Sequence, residues 1–382
     1  MKDLSPVVHL GKACAIWAAL FFAPFLGGQT PGDAIAFERQ GKLAEAAGAW
    51  QVVVARNPHD AAAFASLGVV LSKEREYKEA ASAYKKALSL NPSLPGIWLN
   101  LGLAEFKQGH FEAAVQPLRA ALAEDPSSTQ VQTLLGMSYY GAKRFVLASQ
   151  SLAPLAKSEP DNAELHRILA QSCLRAKKYT CAFDEFKQIL QHNPDSASAH
   201  MLSGEALDGL QRTPEAISEF QAAVKASPQE PDVHFGLGYL YWKSHQYDEA
   251  QREFQNELAI DPNHPQALAY WGDIEMKKAN LDEALSLLRK AVSLKSDVRI
   301  AYIDLGAVLM QRKQYKEAVA ALQHAVQLDP AQPDAHYRLG RVYRAMGNSA
   351  ESQREFARVQ QLHATEDSLA SKMSAAPPPL PQ

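Results

Sequence analysis

Apolar side chains recur along this chain at helical spacing, and short polar breaks interrupt them at regular intervals. Residues 231–264 show the pattern most clearly. Leu237, Gly238 and Tyr241 fall on one stripe of a helix, a polar break follows over Ser244–Gln246, and Ala250, Phe254 and Leu258 then form a second stripe at i, i+4, i+8. Pro231 suits a first helical turn, where the missing N–H has no intrahelical partner to lose. Asp261-Pro262 ends the second run, because proline cannot donate into the preceding turn and clashes with it. The segment predicts two antiparallel helices joined by a tight turn.

The same unit returns every 34 residues. Glycine stands at Gly68, Gly102, Gly136, Gly204, Gly238, Gly272, Gly306 and Gly340, with Ala170 at the one missing beat. Alanine repeats from Ala80 to Ala318 and proline from Pro58 to Pro330, with Ser296 the only proline miss. Small residues at Gly238 and Ala250 let the two helix axes approach to the usual ~8–10 Å. Nine full units fill 61–94, 95–128, 129–162, 163–196, 197–230, 231–264, 265–298, 299–332 and 333–366. Residues 29–60 carry Ala46, Trp50 and Pro58 and read as a partial unit. Each unit can bury its apolar face only against its neighbours, so the length predicts one quasi-linear stack rather than two or three globular domains. Pro117 and Pro154 lie inside second helices and predict local kinks. The last unit has Ser352 in the alanine place and lacks its closing proline.

This unit resembles the tetratricopeptide repeat (TPR) family. The family pattern W-x2-L-G-x2-Y…A-x3-F…P is met by Leu237, Gly238, Tyr241, Ala250, Phe254 and Pro262, with His234 in the tryptophan place. Trp98, Leu101, Gly102 and Pro126 match it in another unit. The resemblance implies an all-α fold, a right-handed solenoid of stacked antiparallel helix pairs. It also implies a concave groove for a protein or extended peptide, lined by the fifth, ninth and twelfth residues of each first helix. Those places hold Leu99, Leu103 and Phe106; Met137 and Tyr140; Met201, with Glu205 and Asp208; Phe235, Tyr239 and Trp242; Asp273 and Met276; Met310; and Tyr337, Arg341 and Arg344. Aromatic, methionine and arginine side chains are typical of recognition surfaces. The competing reading is that many of them pack between neighbouring units. Phe235, Tyr239 and Trp242, on one stripe of the best-formed unit, are the expected centre of the groove. A lysine–asparagine clamp for a peptide carboxylate would need Lys at the fifth and Asn at the ninth place of one unit, and no unit has both.

The ends differ from the repeats. Lys2 and Lys12 precede the apolar run Ala13–Leu26, which reads as a secretory signal peptide over 1–28. A cut near Gly28 follows the apolar run directly; Ala34-Ile35-Ala36 is the alternative, and an uncleaved anchor is the other reading. Cys14 stands at the start of the apolar run, two residues after Lys12, with the rest of the run following it, and so does not mark a lipoprotein. Residues 367–382 end in Pro377-Pro378-Pro379-Leu380-Pro381 and read as a disordered proline-rich tail.

Charge and chemistry narrow the function. Lys and Arg number 39 against 42 Asp and Glu, with no basic run, so nucleic-acid binding has no electrostatic support. No phosphate loop, nucleophile elbow, dinucleotide fingerprint or zinc-protease motif is present. His166, His200, His234 and His336 share the fourth place of their units. Equivalent residues of stacked helices lie about 10 Å apart, far beyond a metal–nitrogen bond of about 2 Å, so they read as packing residues. No catalytic residue, metal or cofactor is expected. Cys173 and Cys181 flank one hairpin turn; two small buried residues are expected there in preference to a disulfide. The chain reads as an exported, non-catalytic scaffold, periplasmic or extracellular in a bacterium. A subunit or assembly factor of a cell-envelope complex is the alternative, and an enzyme carrying a repeat array is the disfavoured one.

Overall fold

A computed structural model of the protein describes residues 30–375, with side chains to Thr365. The expected leader, 1–28, and the proline run of the expected tail lie outside the described residues. Among the described residues twenty helices follow one another in chain order. They are α1 (Pro31–Arg39), α2 (Leu43–Arg56), α3 (Ala61–Lys73), α4 (Tyr77–Leu90), α5 (Ile97–Lys107), α6 (Phe111–Glu124), α7 (Thr129–Gly141) and α8 (Phe145–Ser158). Then come α9 (Ala163–Arg175), α10 (Tyr179–His192), α11 (Ala197–Gly209), α12 (Thr213–Ala226), α13 (Val233–Lys243) and α14 (Tyr247–Ile260). The last are α15 (Pro265–Lys277), α16 (Leu281–Leu294), α17 (Arg299–Gln311), α18 (Tyr315–Leu328), α19 (Pro333–Ala345) and α20 (Ser349–Ala375). No strand occurs among the described residues, so the all-α expectation holds. The helices fall into two compact units, one ending at Asp161 and one starting at Asn162.

Each odd-numbered helix packs on the even-numbered helix that follows, forming one 34-residue unit from α3 onward. Helices α1 and α2 also form a pair, with a first helix of only nine residues. Helices α6 and α8 continue through Pro117 and Pro154 for fourteen residues each, so neither proline ends its helix. Helix α20 continues to Ala375, past the end of the ninth unit.

The glycine beat marks the point of closest approach within each pair. A Cβ on Gly238 would lie 2.8 Å from the Phe254 ring, and one on Gly136 would lie 2.3 Å from Leu152. In every case the obstructing side chain sits sixteen residues later, on the partner helix. The alanine beat is fully buried from Ala80 to Ala318. Ser352, the exception, donates its hydroxyl to the Gly340 carbonyl at 2.9 Å, which shows how near the two backbones run.

Every hairpin turn contains one residue of left-handed backbone: Gly41, Arg75, Gly109, Lys143, Lys177, Gln211, His245, Ala279, Lys313 and Gly347. It reverses the chain so that the following amide reaches back to the helix, as Gln246 N–H does to the Tyr241 carbonyl at 2.9 Å.

In four units the fourth-place residue ties the unit to the proline before it. His200 Nε2 donates to the Pro194 carbonyl at 2.9 Å and His234 Nε2 to Pro228 at 3.1 Å. Trp98 Nε1 and Gln132 Nε2 do the same to Pro92 and Pro126, at 3.1 and 2.9 Å. The histidines also reach the second helix of their pair: Nδ1 of His166, His200, His234 and His336 lies 2.5–2.6 Å from Glu185, Glu219, Glu253 and Glu355. They are buried or nearly so, as the packing reading expects, and they carry a bracing role besides.

The cysteine expectation is corrected. Cys173 of α9 and Cys181 of α10 are joined in a disulfide across the turn, with Cα atoms 5.8 Å apart. Eight residues apart, on facing ends of two antiparallel helices, they fall within the reach of a disulfide.

Candidate functional site

The fifth, ninth and twelfth places were expected to form one ligand-facing stripe. They do not share one environment. In the first unit Leu99, Leu103, Phe106, Met137 and Tyr140 are all half-buried. Phe106 meets Phe111 edge-on at 5.4 Å, and Tyr140 meets Phe145 at 5.9 Å, each ring packed on the start of its own second helix. Beside this stripe Glu105 is buried, with Lys85 at 2.6 Å and His110 at 3.0 Å. Burial opposes its ionisation, but the hydrogen bonds from Lys85 and His110 outweigh it and hold the carboxyl below the ordinary range. A depression of about 490 Å³ near α8, lined by Leu122, Leu135, Tyr139 and Leu147, holds no acid–base pair.

In the second unit Met201 is half-buried, and so are Phe235, Tyr239 and Trp242. The aromatic trio was expected to face solvent. Tyr270, at the sixth place of the next first helix, changes that. Its ring lies 6.0 Å from Phe235, 5.5 Å from Tyr239 and 4.8 Å from Trp242, joining α13 to α15. Phe235 also packs 6.1 Å from Phe254 and 4.8 Å from His264. Trp242 Nε1 donates to Asp273 Oδ2 at 2.6 Å. Lys277 pairs with the same carboxylate and lies over the Trp242 ring at 5.4 Å. Asp273 is therefore a buried acceptor between two hairpins, not an exposed acidic patch.

Asp304, at the sixth place of α17, lies one helix further on. Only 3% of it is exposed, and its Oδ2 has no hydrogen-bond partner among the described residues. Arg338 Nη2 stands 3.8 Å from its other oxygen. Burial pushes the Asp304 carboxyl up to about 7; the charge of Asp273 adds to the rise, and Arg338 and Lys277 only partly offset it. Burial likewise raises the Tyr270 hydroxyl to about 12, with Tyr239, Asp304 and Asp273 adding. Tyr270 and Asp304 are central here, and a reading confined to the fifth, ninth and twelfth places misses both.

Toward the end of the second unit the stripe opens. Met276 and Met310 are half-buried, Tyr337 is 49% exposed, and Arg341 and Arg344 are exposed. The Arg344 guanidinium lies 4.7 Å from the Phe356 ring, and the Tyr337 ring packs 5.9 Å from Phe356.

Asp232, Glu257 and His264 bring three potential metal-ligand atoms within 4.8 Å of one another. The histidine cannot serve as a ligand in this arrangement, and the two carboxylates are engaged in capping and pairing bonds. Glu257 accepts the backbone N–H groups of Asp232 at 3.2 Å and Phe235 at 3.0 Å, capping the start of α13. His264 Nδ1 accepts the Ala267 N–H at 3.0 Å, so its proton sits on Nε2, which faces Asp232 Oδ1 at 2.8 Å. A neutral ring in that tautomer has no lone pair left for a metal. Glu257 thus caps α13 and His264 caps α15, with Asp232, left-handed at the entry to α13, linked to both.

Sequence models described as tetratricopeptide repeat match residues 33–96, 71–136, 105–172, 182–231, 209–269 and 334–365, and one described as TPR repeat matches 306–347. No curated protein matches the chain. Among solved structures, the Cut9–Hcn1 hetero-tetramer of APC/C is similar at 14% identity, over 87% of this chain and 87% of that chain, with a TM-score of 0.52. Yeast Tom70 is similar at 14% identity, over 91% of this chain and 98% of that chain, with a TM-score of 0.40. YrrB, a TPR protein with an unusual peptide-binding site, is similar at 20% identity, over 49% of this chain and 97% of that chain, with a TM-score of 0.39. The Cut9 likeness agrees with the all-helical fold. With repeat models spanning most of residues 33–365, and the glycine and alanine beats seated where paired helices cross, the chain belongs to the tetratricopeptide repeat family.

Proposed function

We propose that this chain is an exported, non-catalytic scaffold that holds a protein or extended peptide on the first-helix face of its second unit. The observation that carries this reading is the open stretch Met310, Tyr337, Arg341 and Arg344, where adaptable, aromatic and cationic side chains remain available on neighbouring first helices. Phe235, Tyr239 and Trp242 shape one side of that face and are held in place by Tyr270 and Asp273. Export is supported by the leader-like residues 1–28 and by the start of α1. Thr30 and Asp33 form a capping box there, so a cut near Gly28 leaves α1 whole. A cut after Ala36 would remove the buried Ala34. A disulfide between Cys173 and Cys181 suits an oxidising compartment.

One preparation tests both halves. The tagged protein is recovered from fractions of its native host, its N-terminus is sequenced, and the proteins that co-purify are compared with those held by a Tyr337→Ala/Arg341→Ala variant. The expected result is a mature chain starting near Gln29 outside the cytosol. The double variant should bind its partner more weakly by about 2 kcal/mol or more, the range of hot-spot residues, and melt at an unchanged temperature. Cytosolic protein that starts at Met1 would overturn export. A partner held equally well by the variant would overturn the face.

A further inference from the structure

From α11 to α19 the first-helix face carries unpaired charge at its two ends, and the charges named between them are paired or buried. On α11, Glu205 is exposed and has no hydrogen-bond or salt-bridge partner among the described residues. It is open to solvent, yet its carboxyl sits close enough to surrounding protein for desolvation to raise it; Asp232 adds to the rise and Arg175 opposes it. Asp208, one turn along the same helix, is half-buried and pairs with Lys243 at 2.6 Å. On α19, Arg338, Arg341 and Arg344 recur at three-residue steps and share one side of the helix. Arg341 is exposed and has no side-chain partner among the described residues. Many other cations of this unit are paired: Lys278 with Asp248, Arg289 with Glu317, and Arg299 with Asp334. Between the charged ends lie the half-buried Tyr239, Met276 and Met310.

Charge complementarity then selects the occupant. A guanidinium takes a carboxylate in a two-pronged hydrogen bond, and an unpaired carboxylate favours an ammonium or guanidinium. We propose that the face binds an extended peptide of fixed polarity, with acidic side chains against Arg341 and Arg344, apolar side chains across Met276 and Met310, and a basic side chain against Glu205. This proposal rests on the scaffold reading above and gives it a ligand class. Four steps between neighbouring first helices, at about 10 Å each, span about 40 Å, which an extended chain of about twelve residues covers.

The test uses two fluorescein-labelled synthetic peptides of that length with the same leucine–methionine–tyrosine centre, one ending in glutamates and the other in lysines. Anisotropy titrations are run on the mature full chain. Arg341→Glu should weaken the acidic peptide by about tenfold or more and leave the basic one within about twofold, as expected for a local charge pair. Glu205→Lys should do the reverse. Arg341→Gln and Glu205→Gln, which keep the side-chain size, should show the same crossed pattern at smaller amplitude, with circular dichroism confirming helical content. Two peptides weakened alike by either variant, or two left unaltered, would overturn the polarity. If Met310→Ala weakens both peptides while the charge variants show no crossing, the polarity falls and the scaffold reading stands. If neither peptide binds the wild-type chain and the co-purifying partner ignores Tyr337→Ala/Arg341→Ala, both readings fall.

Discussion

Glu105 and Asp304 are equally buried carboxylates on first helices, one in each unit, and their surroundings push them in opposite directions. Glu105 has a lysine and a histidine within hydrogen-bond reach, and its carboxylate is favoured in spite of burial. Asp304 has one distant arginine, a like-charged aspartate beside it and an oxygen with no partner among the described residues. Low exposure alone therefore does not fix the charge; what also matters is whether its lone pairs are used and which charges stand near it. The first unit resolves its buried acid locally. The second unit keeps one unresolved next to the face proposed to bind a ligand.

The largest expected effect is at Asp304. Its folded value lies above its unfolded one, so the folded chain holds the proton longer. Stability should then fall as pH rises from about 4 to about 7 and level off above that range. Asp304→Asn removes the cost of the charge. It should stabilise the second unit by about 2–4 kcal/mol at pH 8 and by little at pH 4, as seen in urea midpoints across pH. A variant no more stable than wild type at pH 8 would mean that the carboxylate is compensated after all. Glu105 should behave in the opposite sense. Its folded value is depressed, so its contribution is present above the unfolded value and is lost as pH falls through the folded one. Glu105→Gln should cost the first unit about 2 kcal/mol at pH 7, with the difference vanishing in acid; the same titration reads it. Smallest of all is Lys85→Met. Its side chain is 61% exposed, so the loss at pH 7 should stay below about 1 kcal/mol and shrink with added salt. A larger loss would place most of the stabilisation of Glu105 in Lys85 rather than in His110.

The fold was legible because its rules are local and repeated. Gly238 and Ala250 announce a helix crossing, and the 2.8 Å approach of Phe254 to a Cβ built at Gly238 shows why nothing larger fits. The binding face was legible only in part. Spacing puts Phe235, Tyr239 and Trp242 on one stripe, but their exposure depends on what the next unit places opposite. That is Tyr270, from the sixth place. Asp273 looks like a surface acid until the Trp242 N–H is found bonded to it. The disulfide was within reach of the spacing, yet two small buried residues fit the same eight-residue separation. Exposed Tyr337 and Arg341 were read as members of the stripe, and their openness came only with the structure.

The brace at the fourth place has a consequence for how such chains diverge. Tryptophan, glutamine and histidine there all send an N–H to the carbonyl of the preceding proline, from Trp98, Gln132, His200 and His234. By residue identity these units have drifted apart; by the bond they make, they are synonyms. What these four units share is a donor at a given reach, so a vocabulary of several residues can spell one joint, and copies can differ in wording without losing their fit.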